Sequence, residues 1–264
     1  MGKICIIPDV HGRQFWKKPC IEHKDEFEKI VFLGDFLAPY PTEGITNEQA
    51  IDVFKEILDF KKNNPDKVVL LMGNHDFSNI NTEICECRTD HTNWNEINKL
   101  FLDNIELFDL AWETTINEKR YFLSHAGVRK GWLKLIAGIW FKWDDCDKLP
   151  PADLFNNFFH VAYDGEGNPD AQYNLEGPIS AYSFYRGWGG YDFGSMVWAD
   201  IREYARGGDL ENEFEDVVFI CGHTQLNDEP IIKEWVMDLD CRKPFVLDTE
   251  TGEIKEYGKT NRGE

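Results

Sequence analysis

The stretch KICIIPDVHG, residues 3–12, indicates the fold more clearly than any other part of the sequence. Its apolar run at 4–7 predicts a short strand that is buried on both faces, as in the parallel part of an α/β sheet. The run leads directly into Asp9 and His11, whose side chains can bind a metal ion. Because ligands in such sheets lie at the carboxyl ends of the strands, the stretch predicts a core strand and part of a site.

Four further apolar runs end in the same way. Asp35 follows 29–34, Asn74 and His75 follow 67–73, His125 follows 120–124, and His223 follows 216–222. Each position alone is weak evidence, since a single buried histidine is more often a hydrogen-bonded core residue than a ligand. Together they predict that carboxylate, amide and imidazole groups converge at one edge of a sheet. Groups of this kind and number indicate a site for two metal ions.

Helices are predicted between these strands. Apolar residues at helical spacing indicate them near 14–24, 47–63, 94–107 and 129–137. Strands that alternate with helices through short connections predict an α/β fold, either doubly wound or built of two sheets. Near the carboxyl end, 231–240 is predicted as one strand and 243–258 as a hairpin, which together would form a final antiparallel sheet beside the parallel one.

The chain is predicted to form a single domain, 1–264, with one irregular region at about 139–195. No linker, repeat or low-complexity stretch argues for a division. The irregular region is rich in aromatic residues, glycine and turn signals, and it predicts a cap beside the site. A surface insertion with its own small aromatic core is the alternative interpretation.

Composition restricts the partners. The formal net charge is −20, which opposes binding to nucleic acid or to an anionic membrane. No apolar run approaches the roughly 20 residues that a membrane helix needs. The seven cysteines are an odd number and predict free thiols in a reducing cytoplasm. A zinc site at Cys85, Cys87 and His91 is disfavoured because their spacing misses the usual pattern.

Five short motifs carry a resemblance to a known family. DVHG at 9–12, GD at 34–35, GNHD at 73–76, HAG at 125–127 and GHTQ at 222–225 resemble the signatures of the calcineurin-like metallophosphoesterases. The last two are similar to the phosphoprotein-phosphatase branch, which includes bacterial diadenosine tetraphosphatases and phage protein phosphatases. The resemblance implies a two-sheet α/β sandwich flanked by helices, with a dinuclear metal site at the carboxyl ends of the strands.

The resemblance also implies roles for individual residues. The first metal would be bound by Asp9, His11 and Asp35, and the second by Asp35, Asn74, His125 and His223. His75 matches the general acid that protonates the leaving oxygen, which suits an imidazole that titrates near neutrality. Manganese is the first expectation for both metals, with iron or zinc as alternatives; oxygen and imidazole ligands without thiolate suit all three.

The sequence departs from this branch after Asp35. The branch carries an aspartate that orients the acid and an arginine that binds phosphate, where this chain has Ala38 and Pro39. Asp76 is a candidate to orient His75 instead. The candidates for binding phosphate are Arg202 first, then Arg13 and Arg186.

The expected function is that of a two-metal-dependent phosphoesterase, a phosphoric ester hydrolase. It would cleave phosphate monoesters or phosphoanhydrides by attack of a metal-bound hydroxide, on a phosphoprotein or a small nucleotide-like molecule. A phosphate-binding or scaffold protein that retains the fold is the alternative, favoured by Ala38 and Pro39 but opposed by the intact ligand set. A nuclease of the same superfamily is disfavoured by the net charge.

Overall fold

The computed structural model describes residues 2–80, 88–136, 143–163, 191–206, 209–210 and 212–259. Its first sheet has six strands, in the spatial order β13-β12-β1-β2-β3-β4. These strands are β1 (Lys3–Ile7), β2 (Lys29–Phe32), β3 (Val68–Leu71), β4 (Phe108–Asp109), β12 (Phe245–Asp248) and β13 (Ile254–Glu256). The strands β1 to β4 are parallel, whereas β12 runs antiparallel to β1.

The second sheet has five strands, in the order β10-β11-β9-β6-β5. They are β5 (Ala111–Ile116), β6 (Lys119–Ser124), β9 (Val217–Cys221), β10 (Ile231–Ile232) and β11 (Val236–Asp238). The central strands β6, β9 and β11 are parallel, and β5 and β10 pair antiparallel at the edges. A separate two-stranded ribbon joins β7 (Ala205–Arg206) to β8 (Asp209–Leu210).

Alternation along β1 explains how the two sheets pack. Ile4 and Ile6 belong to a core that contains residues of both sheets, among them Leu123 and Ile220. Cys5 and the residues on its face belong to a second core, which the helices cover. Since strand side chains alternate between faces, a run that is apolar at every position fills both cores at once. The predicted two-sheet α/β sandwich is confirmed.

Helices cover the outer faces of the sandwich. They are α1 (Asn47–Asn63), α2 (Asn74–Ile80), α3 (Trp94–Leu102), α4 (Lys130–Ile136) and α5 (Ala152–Tyr163). The first has the bounds that the sequence predicts, because Thr46 and Gln49 form a capping box at its start. None of the helices that the structure describes is long and apolar enough to cross a membrane.

Three local predictions are corrected by the structure. The helix predicted at 14–24 is a π-helical turn at Lys18–Glu22 followed by a 3₁₀ turn at Lys24–Glu26; Pro19 lacks the N–H that a longer helix would need. The strand predicted at 231–240 is two strands, β10 and β11, folded back on each other. The hairpin at 243–258 is confirmed, but it joins the first sheet beside β1 and forms no separate sheet.

Most of the predicted cap at 139–195 lies outside the described residues. The described part includes α5, whose Phe155 and Phe159 belong to the main helix-covered core. The side chain of Asn156 accepts hydrogen bonds from the backbone N–H groups of Leu110 and Ala111, at 2.9 and 3.1 Å. Helix α5 therefore packs as part of the sandwich, and the cap and the surface insertion both stay predictions for the rest of the region.

Candidate metal centre

The predicted site residues meet at the carboxyl ends of five strands. They are Asp9 and His11 after β1, Asp35 after β2, Asn74 and His75 at the start of α2, His125 after β6 and His223 after β9. All are buried except His223, which is partly buried. Three of these strands, β1, β2 and β3, belong to the first sheet, and β6 and β9 belong to the second. The site therefore lies where the two sheets come together at one edge.

One group of ligand atoms has the dimensions of a metal coordination face. Asn74 Oδ1 lies 3.0 Å from His125 Nε2 and 3.0 Å from His223 Nδ1, and the two nitrogens are 3.2 Å apart. Neighbouring ligands around an octahedral ion with bonds of about 2.1 Å are about 3.0 Å apart. This triangle of one amide oxygen and two imidazole nitrogens therefore fits a single divalent cation.

Asp35 lies between this triangle and a second group. Its Oδ2 is 3.6 Å from His125 Nε2 on one side and 3.6 Å from His11 Nε2 on the other. Two compact groups have ligand atoms within 4.8 Å of one another: His11, Asp35 and His75 form one, and Asp9, Asp35 and His125 form the other. Asp9 and His11, which were predicted to share the first ion, do not fall in the same compact group. The other oxygen of Asp35, Oδ1, accepts a hydrogen bond from the His75 backbone N–H at 3.0 Å. A single oxygen of Asp35 therefore faces both groups.

Backbone carbonyls fix the orientation of two of the imidazoles. His11 Nδ1 lies 2.8 Å from the Leu37 carbonyl oxygen, and His125 Nδ1 lies 2.8 Å from that of Leu33. Each Nδ1 must carry the proton and donate it, which leaves Nε2 with a lone pair directed into the site. Burial lowers the pKa of His11 and of His223 well below the ordinary value, so both rings stay neutral as metal ligands require.

The loops that carry the ligands have uncommon backbone conformations. His11, Asp35 and His223 all have positive φ, at 46°, 52° and 71°. Such conformations are rare outside glycine and are typical of functional sites. A side chain on Gly73 would collide with the Asp35 carboxylate, and one on Gly222 with that of Asp9. Glycine beside the ligand is therefore what lets each carboxylate approach.

Asp76 supports the Asp35 loop. Its Oδ2 accepts hydrogen bonds from the backbone N–H groups of Asp35 and Gly73, both at 2.8 Å, and its Oδ1 accepts one from Phe36 at 3.0 Å. Both oxygens are used by the backbone, so the structure assigns Asp76 to positioning Asp35. The other role predicted for Asp76, which is to orient the His75 ring, stays a prediction.

The site concentrates buried carboxyl groups whose pKa values lie above their ordinary range. Burial raises the pKa of Asp35 to about 8, that of Asp9 to about 6 and that of Asp240 to about 8. Asp240 is 1% exposed, and neither of its oxygens has a hydrogen-bond partner among the described residues. The nearby Asp238 is also buried, with one oxygen unpartnered. Protons neutralise such buried carboxyl groups when no cation is present, and a pair of divalent ions would neutralise them in the charged form.

The stability of the metal-free protein should therefore fall as pH rises. The pKa values of Asp35 and Asp240 are about 8 in the folded protein, against an ordinary value of 3.8. The stability that these two groups contribute is therefore fully present below about pH 4 and is lost as the pH rises to about 8. Cations bound by these carboxylates would take the place of the protons in that range. At 100 times its Kd, Mn²⁺ adds about 2.7 kcal/mol, which is about 5–11 °C in Tm. Thermal unfolding with and without Mn²⁺ should show a gain that grows from pH 5 to 8; a gain independent of pH would contradict it.

The arginines predicted to bind phosphate occupy different surroundings. Arg13 is buried and bonded to Glu43 through Nε at 2.7 Å and Nη2 at 2.9 Å. Arg202 is exposed and bonded to Asp200 through Nε and Nη2. Arg186 lies outside the described residues, as do Cys85 and Cys87 of the disfavoured zinc site. Their roles stay predictions.

Arg88 is a site residue that the sequence did not reveal. Its Nη2 lies 3.2 Å from His75 Nε2 and 3.5 Å from His11 Nδ1. Its guanidinium carbon lies 3.8 Å from the centre of the Tyr40 ring, whose edge also contacts His11. No strand end or motif marks this position, so only the folded structure brings it to the site.

Comparisons with known proteins identify the family of the chain. The family model described as calcineurin-like phosphoesterase matches residues 2–241. A search of curated proteins found no match.

Two solved phosphatases share the fold. A cold-active protein-tyrosine phosphatase of a psychrophilic Shewanella sp. is 15% identical, with a TM-score of 0.55 over 97% of this chain and 80% of that one. A protein serine/threonine phosphatase from Saccharomyces cerevisiae, with similarity to human phosphatase PP5, is 15% identical, with a TM-score of 0.52 over 100% of this chain and 82% of that one. The match of the family model over most of the chain shows that it belongs to the calcineurin-like phosphoesterase family.

Proposed function

We propose that this metal-dependent phosphoesterase hydrolyses phosphate monoesters, and phosphoanhydrides as a second class, in phosphoproteins or small nucleotide-like molecules. The observation that supports this most is the position of Asp35 Oδ2, at 3.6 Å from an imidazole nitrogen of each ligand group. A carboxylate oxygen placed between two groups of ligands is the arrangement that a two-metal hydrolytic site requires.

The two proposed ligand groups share Asp35. The first metal would be held by Asp9, His11 and Asp35, and the second by Asp35, Asn74, His125 and His223. When bound, the two ions supply Lewis-acid stabilisation of the phosphoryl oxygens and make water acidic enough to act as a nucleophile at neutral pH. The residues of the chain hold these ligands in place through the Leu33 and Leu37 carbonyls and the Asp76 carboxylate.

His75 is the proposed general acid. Its backbone N–H is fixed to Asp35 Oδ1, and its Nε2 lies 3.9 Å from Asp35 Oδ2. The His75 ring therefore lies beside the metal ligands but outside the triangle formed by Asn74, His125 and His223, called the Asn74 triangle below. A proton held at Nε2 can pass to the leaving oxygen of a substrate bound at the metals.

Charge and ligand chemistry guide the remaining choices. The net charge of −20 disfavours nucleic acid and membrane surfaces as partners, so a phosphorylated protein or small molecule is the proposed partner. Manganese is the proposed metal, with iron and zinc as alternatives for oxygen and imidazole ligands. The five described cysteines are free thiols, which agrees with the proposed cytoplasmic location.

A substrate panel tests the proposal. Metal-free protein should be inactive, and added Mn²⁺ should restore hydrolysis of p-nitrophenyl phosphate, which chelation should again abolish. Phosphopeptides should then be compared with dinucleoside polyphosphates, with Mn²⁺, Fe²⁺ and Zn²⁺ each supplied in turn. If metal binds at two equivalents and no phosphoester or anhydride is cleaved, the chain is instead a phosphate-binding or scaffold protein.

A further inference from the structure

The chain lacks an arginine where its branch of the family is expected to bind phosphate, since Ala38 and Pro39 occupy those positions. Two of the other arginines considered are already engaged. Arg13 donates to both oxygens of Glu43 and to the Asp9 carbonyl. Arg202 is bonded to Asp200. A guanidinium whose donors are free to meet an oxyanion must be sought elsewhere at the site.

Arg88 is such a group. It is exposed, and among the described residues no carboxylate lies within ion-pair distance of its guanidinium, although the chain carries 48 acidic residues. Its described contacts at the site are the rings of His75, His11 and Tyr40.

These rings cannot satisfy its five N–H donors. His11 Nδ1 already donates to the Leu37 carbonyl, so it has no lone pair for Arg88. His75 Nε2 offers at most one lone pair, at 3.2 Å. The face of Tyr40 attracts the cation and holds the plane of the guanidinium, and the Tyr40 hydroxyl accepts one further hydrogen bond from it. Most of the N–H donors of the Arg88 guanidinium therefore remain available to a ligand beside the metal-binding residues.

We propose that Arg88 binds the phosphoryl oxygens of the substrate, with Tyr40 holding its guanidinium in place. The proposal rests on the function proposed above and assigns its phosphate contact. A planar guanidinium can bind two phosphoryl oxygens in a bidentate pair. An oxyanion bound there lies next to His75, so the same contact brings the ester oxygen near the general acid. Arg88 has φ of 50°, an uncommon conformation that functional sites often contain.

Three variants test this assignment. In Arg88→Ala, inhibition by inorganic phosphate should weaken about 10- to 100-fold, because a charge-assisted bidentate contact is lost. KM for a phosphate monoester should rise in parallel, while the content of bound metal stays at the wild-type value. Arg88→Lys should recover part of the loss, since it keeps the charge but not the fork. Lys55→Ala removes one positive charge from the exposed face of α1 and should change neither constant.

Calorimetry of phosphate binding to the Mn²⁺-loaded protein separates this proposal from the proposed function. Suppose that the wild-type protein cleaves no substrate but binds phosphate, and that Arg88→Ala binds phosphate about 10-fold more weakly. The phosphate contact of Arg88 is then supported, and the proposed hydrolytic function is wrong. If the wild type is active and Arg88→Ala binds phosphate as tightly, the assignment is wrong and the function stands. Loss of metal from Arg88→Ala would also overturn it, because Arg88 would then act on the centre itself.

Discussion

Replacing Asp35 by asparagine is expected to reduce kcat/KM by at least about 10³-fold and to lower the bound metal below two equivalents. The substitution leaves an oxygen that can accept the His75 backbone N–H, and asparagine tolerates the positive φ at this position. It removes the charge of the one oxygen that faces both ligand groups. Loss of several kcal/mol of Lewis-acid stabilisation corresponds to a rate loss of this size.

Metal content by elemental analysis and steady-state kinetics on the same sample would check this result. Asp52→Asn is the matched control, because it removes one carboxylate from an exposed position on α1 and should alter neither quantity. An Asp35→Asn protein that keeps two metals and full activity would show that the two groups do not share Asp35. The folded state of the variant should be verified by thermal unfolding in the presence of chelator.

Replacing His75 by asparagine should lower kcat about 10²- to 10⁴-fold and leave the metal content unchanged. The loss should depend on the leaving group. A phosphoserine or alkyl ester needs protonation of its leaving oxygen and should be affected most, whereas p-nitrophenyl phosphate, with a better leaving group, should be affected least. This dependence follows from a proton delivered at Nε2, which lies beside Asp35 but outside the Asn74 triangle.

The contrary outcome for His75 is equally specific. Its Nε2 also belongs to a cluster with His11 and Asp35 in which ligand atoms lie within 4.8 Å of one another. If His75→Asn loses metal and slows all leaving groups to the same extent, His75 is a ligand of the first ion. His23→Asn, at an exposed histidine paired with Glu26, serves as the control.

The sequence revealed those parts of the site that depend on strand ends. A buried parallel strand has a strict apolar pattern, and the residue after it must lie at the sheet edge, so Asp9, Asp35 and His125 could be placed from the pattern alone. Arg88 and Asp240 could not be placed in this way. Arg88 reaches His75 from a separate segment, and Asp240 approaches Asp9 only because β11 pairs with β9. Such contacts depend on tertiary packing that no local pattern records.

In the fold, too, local features could be predicted from the sequence and long-range pairings could not. Helix α1 and strand β1 depend on local patterns, and the sequence predicted both. The pairing of β12 with β1 is a long-range choice, made because the outer edge of β1 would otherwise leave its backbone groups unpaired.

The position of the ligands on both halves of the sandwich has a mechanical consequence. Asp35 and Asn74 extend from one sheet, and His125 and His223 extend from the other. Cations coordinated by all four residues would cross-link the two sheets at one end. Sliding one sheet over the other by a single residue, about 3.3 Å, would separate Asp35 from His125 and break the coordination. Metal binding would therefore require the two sheets to be correctly aligned with each other.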